Sequence, residues 1–372
     1  MSAIQRDIPP VLTGMATAVN PDMVSRTVQT HSLIHQLAPA RLARCSHRDT
    51  SIALIIYSAV LVVLGSVVLE CTAFGQASGF KLNPGDILYA DSGNALDGGF
   101  VIKLDANSGQ ETVLSSGGFL QLPFAPLIDS TGQIVVSDSG RLIRINPKTG
   151  IQTVIANNNR GLLGYPQGIA LSQSGAILVA NLQAIIQVNP VNGQVRTVSA
   201  GGSFVFPLDV AVASNGELLV LNIAFPSQIV RVNPQTGAQY VVSQGGYLKN
   251  PQAITVGGND IYITDVATAD GNFGVGRILR VDGLTGNQTV VSTGGYLVGP
   301  VGIAMDAKGQ LIIGDPYTVN PLSLDLVNGG YDGAIVRIDP ATGEQTLLAR
   351  GQGGYLNPRG VAVVPNLGLR GH

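Results

Sequence analysis

Histidine, cysteine and tryptophan are nearly absent from most of this chain. Both cysteines, Cys45 and Cys71, precede residue 78, no histidine lies between His47 and His372, and tryptophan does not occur. Residues 78–371 therefore cannot supply a Ser-His-Asp triad, a histidine-bound zinc ion or a thiol nucleophile. They also need no disulfide in an oxidising compartment.

Charge is scarce as well, since only 12% of the residues are charged and the net charge is −2. From residue 78 onward there are 16 basic and 19 acidic residues, so no polybasic surface is available and nucleic acid is not an expected partner. Glycine, in contrast, is abundant, with 48 residues scattered among short apolar runs. This composition is typical of β-structure with many turns.

The first 77 residues differ from the rest of the chain. Residues 1–50 show neither helical nor strand periodicity, and we expect a poorly ordered leader. Residues 51–69 are uncharged and, as a helix, would nearly span a bilayer core. Three arginines precede this run and no basic residue directly follows it, which predicts that the chain beyond it is exported.

Residues 51–77 have two interpretations. Small residues at 73–77 fit a signal-peptide cleavage site, whereas the length of the apolar run fits an uncleaved single-pass anchor through residues 51–69. A buried core helix is a third and weaker interpretation. Cys71 suggests lipidation, but Glu70 stands where a small residue is needed. A signal peptide and an anchor both imply an exported protein. The protein would contact the membrane only through residues 51–69, and only if this segment is not cleaved off.

The rest of the chain contains a sixfold repeat. A turn of the form Asn/Asp-x-x-x-Gly recurs at intervals of 41 to 57 residues, as Asp105–Gly109, Asn146–Gly150, Asn189–Gly193, Asn233–Gly237, Asp282–Gly286 and Asp339–Gly343. The side chain that opens each turn can accept hydrogen bonds, and the closing glycine supplies a left-handed residue. Apolar runs on both sides of each turn predict a β-hairpin.

A glycine-rich linker ending in proline, such as QGGYLKNP at 244–251, joins successive units. Each unit therefore contains four strands, named A to D in chain order, and units of this length predict a β-propeller. Residues 86–115 supply strands B to D of the first blade, and residues 358–363 supply an isolated A strand. We expect that strand to complete the first blade and close an all-β, six-bladed propeller over residues 78–366, with a tail at 367–372; an open solenoid would not explain the split blade.

The repeated pattern P-x-G-I-A-V-x-x-x-G-x-I-x-V-x-D, followed by I-x-R-V-N-P-x-T-G-x-Q-T-V-V-S, resembles the propellers of the NHL-repeat, SMP-30/gluconolactonase and streptogramin-lyase group. That group includes lactone hydrolases, lyases and protein-binding modules, so the resemblance implies the fold and leaves the function open. Lyases of this group depend on histidine, which the repeats lack. SMP-30 lactonases hold a divalent metal with a glutamate near the channel, whereas Glu111, Glu217 and Glu344 all follow turns on the opposite face.

The D–A linkers and B–C connections lie on one face of such a propeller, which we call the linker face. The B–C connections are longest in blades 5, 6 and 1, which are neighbours, and long loops on a rigid scaffold often carry function. We expect a ligand site there, although plain loop variation would give the same lengths. The candidate ligand-binding residues are Asp97, Asp270, Tyr317, Tyr331 and Asp332, together with Asp209 and Arg359, which replace neutral residues in their A strands.

An Asp or Asn ends every B strand: Asp91, Asp138, Asn181, Asn222, Asp265 and Asp315. These residues are either Asx caps of the adjoining loops or, for Asn222, Asp265 and Asp315 with Asp209, ligands of calcium or another divalent ion. Residues 265–272 resemble a calcium loop in composition but lack its final glutamate.

The sequence thus favours an exported, monomeric binding module that needs no cofactor and binds a protein or a small-molecule or carbohydrate ligand. The alternative is a metal-dependent hydrolase of the gluconolactonase type, with its metal at the central channel.

Overall fold

A computed structural model describes residues 80–93, 98–158, 163–267, 273–317, 333–350 and 357–366. The leader and the apolar run at 51–69 lie outside these ranges, so the predictions about them stay predictions. In the part that is described, no helix is long and apolar enough to span a membrane.

The described residues form 24 strands arranged as six four-stranded antiparallel sheets. Blade 1 contains β1 (Ile87–Asp91), β2 (Phe100–Leu104), β3 (Glu111–Ser116) and the C-terminal β24 (Pro358–Val363). Blade 2 contains β4 (Pro126–Ile128), β5 (Ile134–Asp138), β6 (Arg141–Ile145) and β7 (Gln152–Asn157); blade 3 contains β8 (Pro166–Leu171), β9 (Ile177–Asn181), β10 (Ala184–Val188) and β11 (Val195–Ala200). Blade 4 contains β12 (Phe206–Val212), β13 (Leu218–Ile223), β14 (Gln228–Val232) and β15 (Gln239–Gln244). Blade 5 contains β16 (Pro251–Gly257), β17 (Asp260–Ala267), β18 (Phe273–Asp282) and β19 (Gln288–Thr293); blade 6 contains β20 (Gly302–Met305), β21 (Leu311–Asp315), β22 (Ala334–Ile338) and β23 (Gln345–Arg350).

The predicted closure of the ring is confirmed. β24 pairs antiparallel with β1, with Val361 opposite Tyr89 and Ala362 opposite Leu88. The first sheet therefore has the order β24-β1-β2-β3, and its A strand comes from the opposite end of the chain. This pairing leaves no open sheet edge between the first and last blades.

Hydrophobic layers between neighbouring blades form the core. Between blades 2 and 3, for example, Leu127 and Val135 share one buried cluster with Ile169 and Ile177. Every B strand is buried along most of its length because it is covered on both faces, which explains apolar runs without strict alternation. Burying one such side chain stabilises the fold by about 1.5–3 kcal/mol.

The C–D turns have the predicted Asx geometry. In blade 4, Asn233 Oδ1 accepts hydrogen bonds from the amides of Gln235 and Thr236 at 2.9 and 3.0 Å, and Gly237 closes the turn with φ of 73°. A left-handed φ favours glycine, which explains the fixed last position of the repeated motif.

A glutamine joins neighbouring blades at four of the interfaces. Gln288, the first residue of β19, donates to Ser243 Oγ and Gly245 O at 2.9 and 3.1 Å and accepts from the amide of Tyr247 at 2.6 Å. Gln152, Gln239 and Gln345 make the same contacts at the start of β7, β15 and β23. Each glutamine thus fixes the glycine-rich linker that leaves the preceding blade.

Candidate functional site

The linker face carries the ends of the B strands, and their Asp and Asn side chains cap the linkers. Asp138 Oδ2 accepts from the amides of Gln121 and Leu122, and Asn222 Oδ1 accepts from those of Val205 and Phe206, at 2.8–3.1 Å. Asp91, Asn181, Asp265 and Asp315 accept from linker amides in the same way. The structure therefore supports the Asx-cap interpretation of this ring.

Asp265, one of the candidate metal ligands, lies in a buried ion pair. Its Oδ1 is 3.2 Å from an Arg277 nitrogen, and both side chains are almost fully buried. The same guanidinium donates to the Tyr247 carbonyl at 2.7 Å and lies over the Tyr247 ring. Arginine thus already provides the positive charge that a metal would bring to this carboxylate.

Asp315 is fully buried at the end of β21. Burial raises its pKa to about 6, although hydrogen bonds from the amides of Tyr317, Val298 and Gly299 favour the ionised form. No group of three His, Cys, Asp or Glu side chains in the described ranges is arranged to hold a metal ion. Asn222, Asp265 and Asp315 instead bind the linkers of three separate blades.

The A strands of all six blades line a central channel with a volume of about 420 Å³. Asp209 faces it from β12, where the other copies carry Ala or Gly. Its Oδ2 accepts from the Ile254 amide at 2.9 Å and its Oδ1 from the Val210 amide at 2.8 Å. Desolvation raises the pKa of this carboxyl to about 7 despite these two hydrogen bonds.

Arg359 lines the same channel from β24. Its guanidinium carbon lies 5.8 Å from the centre of the Phe124 ring, a cation–π geometry. Among the described residues, no carboxylate lies within ion-pair distance of it. Asp209 and Arg359 are therefore brought to one cavity without being paired.

Gln167 is a channel residue that the sequence analysis missed. It is only 5% exposed, it lines the channel from β8, and its Nε2 has no hydrogen-bond partner. Its place after the proline of an A strand signals a position at the channel, but sequence alone does not reveal that its amide is buried and unpaired.

The large exposed hydrophobic side chains of the described residues concentrate on the linker face. They come from linkers, from B–C connections and, for Val275, from the start of β18: Phe119, Leu122, Tyr165, Leu182, Val205, Phe225, Tyr247, Val275 and Tyr317. Three others, Ile151, Val191 and Leu284, lie at the C–D turns on the opposite face, and Val113, Tyr240 and Val290 lie on outer D strands. The repeated GGF and GGY motifs showed that the linkers carry aromatic residues, but the sequence did not show that these side chains are exposed.

Several predicted site residues lie outside the described residues, namely Asp97, Asp270, Tyr331 and Asp332. Tyr317 is described and is 47% exposed. In blade 5 the B–C connection is shorter than the sequence suggested because β17 and β18 continue past Asp265, with Ala267 paired to Phe273.

The predicted position of the glutamates away from the channel is confirmed for the two with side-chain contacts. Glu217 follows an A–B turn and pairs with Arg231 at 3.1 Å. Glu111 accepts a hydrogen bond from the Tyr89 hydroxyl at 2.9 Å. Glu344 follows a C–D turn, and none of the described glutamates lines the channel.

Comparison with known proteins shows the fold. No family model and no curated protein matches the sequence. A chain from the crystal structure of a nidogen/laminin complex aligns with a TM-score of 0.55 and 16% identity, over 74% of this chain and 97% of its own. The putative TolB from Agrobacterium tumefaciens aligns with a TM-score of 0.54 and 12% identity, over 76% of this chain and 100% of its own. Membership of the NHL and SMP-30 group stays a prediction.

Proposed function

We propose that this chain is a non-catalytic interaction module that binds a protein partner on its linker face. The observation that carries the proposal is the concentration of exposed large hydrophobic side chains on that face. Contiguous apolar surface on a soluble domain commonly marks an interaction site. In most connections that present these residues, backbone amides donate hydrogen bonds to the Asp/Asn caps or to the glutamines, so little ordering is needed on binding.

Three aromatic rings form the centre of the proposed surface. Phe124, Tyr165 and Phe206, which we call the aromatic crescent, come from the starts of three successive blades, with ring centroids 6.1 and 6.4 Å apart. An open groove of about 580 Å³, lined in part by Leu182, Val205 and Phe206, adjoins the crescent. Aromatic side chains beside a groove commonly act as binding hot spots because they bury large areas at low entropic cost.

The surface extends in this proposal toward Tyr317 and the long connections of blades 5, 6 and 1, where Asp97, Asp270, Tyr331 and Asp332 would add polar contacts. The propeller of residues 78–366 would act after export directed by residues 51–77. One similar structure comes from a complex of two proteins, nidogen and laminin. That likeness supports an interaction role only through the shared fold.

A peptide ligand selected on the full chain from a random phage library tests the proposal. Its affinity is measured by calorimetry for wild type and for a variant carrying Leu122→Ser, Tyr165→Ser and Val205→Ser. We expect at least about tenfold weaker binding, because central hot-spot residues commonly contribute more than 1 kcal/mol each.

The matched control carries Ile151→Ser, Val191→Ser and Leu284→Ser, which remove three still more exposed side chains from the opposite face. It should bind within about twofold of wild type. Equal loss in both variants, or loss only in the control, would contradict a binding role for the linker face.

A further inference from the structure

The central channel has an unusual charge distribution. Of the residues that line it, only Asp209 and Arg359 are ionisable. They belong to β12 and β24, and the A strands contact one another around the ring in the order β24, β4, β8, β12, β16, β20. In this ring of six strands β12 lies directly opposite β24. Asp209 and Arg359 therefore belong to opposite walls of the same cavity.

Gln167 adds an unpaired donor to this cavity. An amide nitrogen buried without a partner costs about 1–3 kcal/mol, and such groups are rare in folded proteins. Gln252, by contrast, lines the same channel with its Nε2 bound to Asn250 Oδ1 at 2.8 Å and to the Asn250 carbonyl at 3.2 Å. Gln167 is thus left with a buried donor that a bound molecule would satisfy.

Gly168 leaves room for the Asp209 side chain. A Cβ built on Gly168 would lie 1.7 Å from Asp209 Oδ1, so any other residue there would displace the carboxylate. Asp209 therefore packs against the backbone of β8, at the residue that directly follows Gln167. The acid and the unpaired amide belong to one side of the channel, and Arg359 belongs to the other.

We propose that the channel binds a small zwitterion, a free amino acid or short peptide with both ends unblocked. Its ammonium group would lie at Asp209 and its carboxylate at Arg359, and Gln167 Nε2 would donate to a carbonyl or carboxylate oxygen of the ligand. A simple anion meets the Asp209 charge, a simple cation meets Arg359, and a neutral polyol brings no opposite charge to either group. The volume suits a small ligand. This site meets the surface proposed above at Phe124, whose ring packs against Arg359, but the proposal does not depend on that surface.

The ionisation of Asp209 gives the site a pH dependence. The strands on either side of it, β8 and β16, carry no ionisable residue, and Arg359 is the one charged side chain across the channel. Because the carboxyl ionises at a pKa of about 7, ammonium binding should tighten as the pH rises from 6 to 8.

Calorimetry on the full chain tests the proposal with triglycine as the probe and N-acetyl-triglycine and triglycine amide as its singly blocked forms. We expect triglycine to bind at least about tenfold more tightly than either blocked form. Acetate and sorbitol serve as the anion and polyol probes. Equal affinity for a blocked form, tighter binding of acetate or sorbitol, or no binding of triglycine at about 10 mM would overturn the proposal.

Variants assign the roles. Asp209→Asn should abolish the preference for the free amine, and Arg359→Gln the preference for the free carboxylate. Gln167→Met should weaken triglycine binding while raising the unfolding midpoint, because it removes the unpaired amide. Gln235→Met, the same substitution at an exposed C–D turn away from the channel, is the matched control and should leave the affinity unchanged. Unchanged affinity in Gln167→Met, or the same loss in Gln235→Met, would contradict the assignment.

Discussion

Asp209 is the residue at which this propeller departs most clearly from its own repeat. The equivalent positions hold Ala125, Gly168, Ala253, Gly302 and Gly360, which suit a narrow channel. Asp209 fits only because the neighbouring blade presents a glycine, and its two hydrogen bonds from backbone amides do not offset the desolvation that raises its pKa to about 7. A repeat retains such a costly residue most readily where it has a use.

The pH dependence of unfolding tests this description of Asp209. In the unfolded chain the pKa of an aspartate is about 4, so the folded state binds more protons between pH 4 and 7 and loses stability as the pH rises through that range. Asp209→Asn should reduce the stability lost between pH 4.5 and 8 by on the order of 2–4 kcal/mol. Denaturant unfolding at both pH values measures the difference. An unchanged slope would show that Asp209 ionises normally.

At the scale of elements, the blades are joined by polar contacts as well as by the core. Glutamines open four of the D strands, whereas Val195 opens β11 and Glu111 opens β3. The Q-T-V-V-S motif contains both residue types of the contact, a glutamine and a serine. The sequence therefore showed that both residue types recur in the repeat. It did not reveal the partner, because the glutamine of one unit binds the serine and linker of the preceding unit.

Gln288→Ala should lower the free energy of unfolding by about 1–3 kcal/mol, because it leaves Tyr247 N, Gly245 O and Ser243 Oγ without this partner. Gln235→Ala, at an exposed turn position, is the matched control and should change it by no more than about 0.5 kcal/mol. Urea unfolding followed by circular dichroism measures both. Equal effects in the two variants would remove the structural role assigned to the glutamines.

At the scale of the whole molecule, the sequence predicted more of the fold than of the site. The six turns, the linkers and the unpaired strand at 358–363 predicted the blade count and the closure, because each blade repeats one local pattern. The aromatic crescent and the Gln167 site were not predicted, because they depend on which residues of different blades meet in space. The B-strand Asp/Asn ring was ambiguous in sequence, since a cap and a metal ligand use the same oxygens.

Hydrogen–deuterium exchange on the full chain, with and without the phage-selected peptide, tests the central claim most directly. If the linker face is the binding surface, the peptide should slow exchange in the linkers at 117–122, 203–206 and 245–250 and leave the C–D turns unchanged. Slower exchange confined to the turns at 189–193, 233–237 and 282–286 would place the partner on the opposite face and contradict the account.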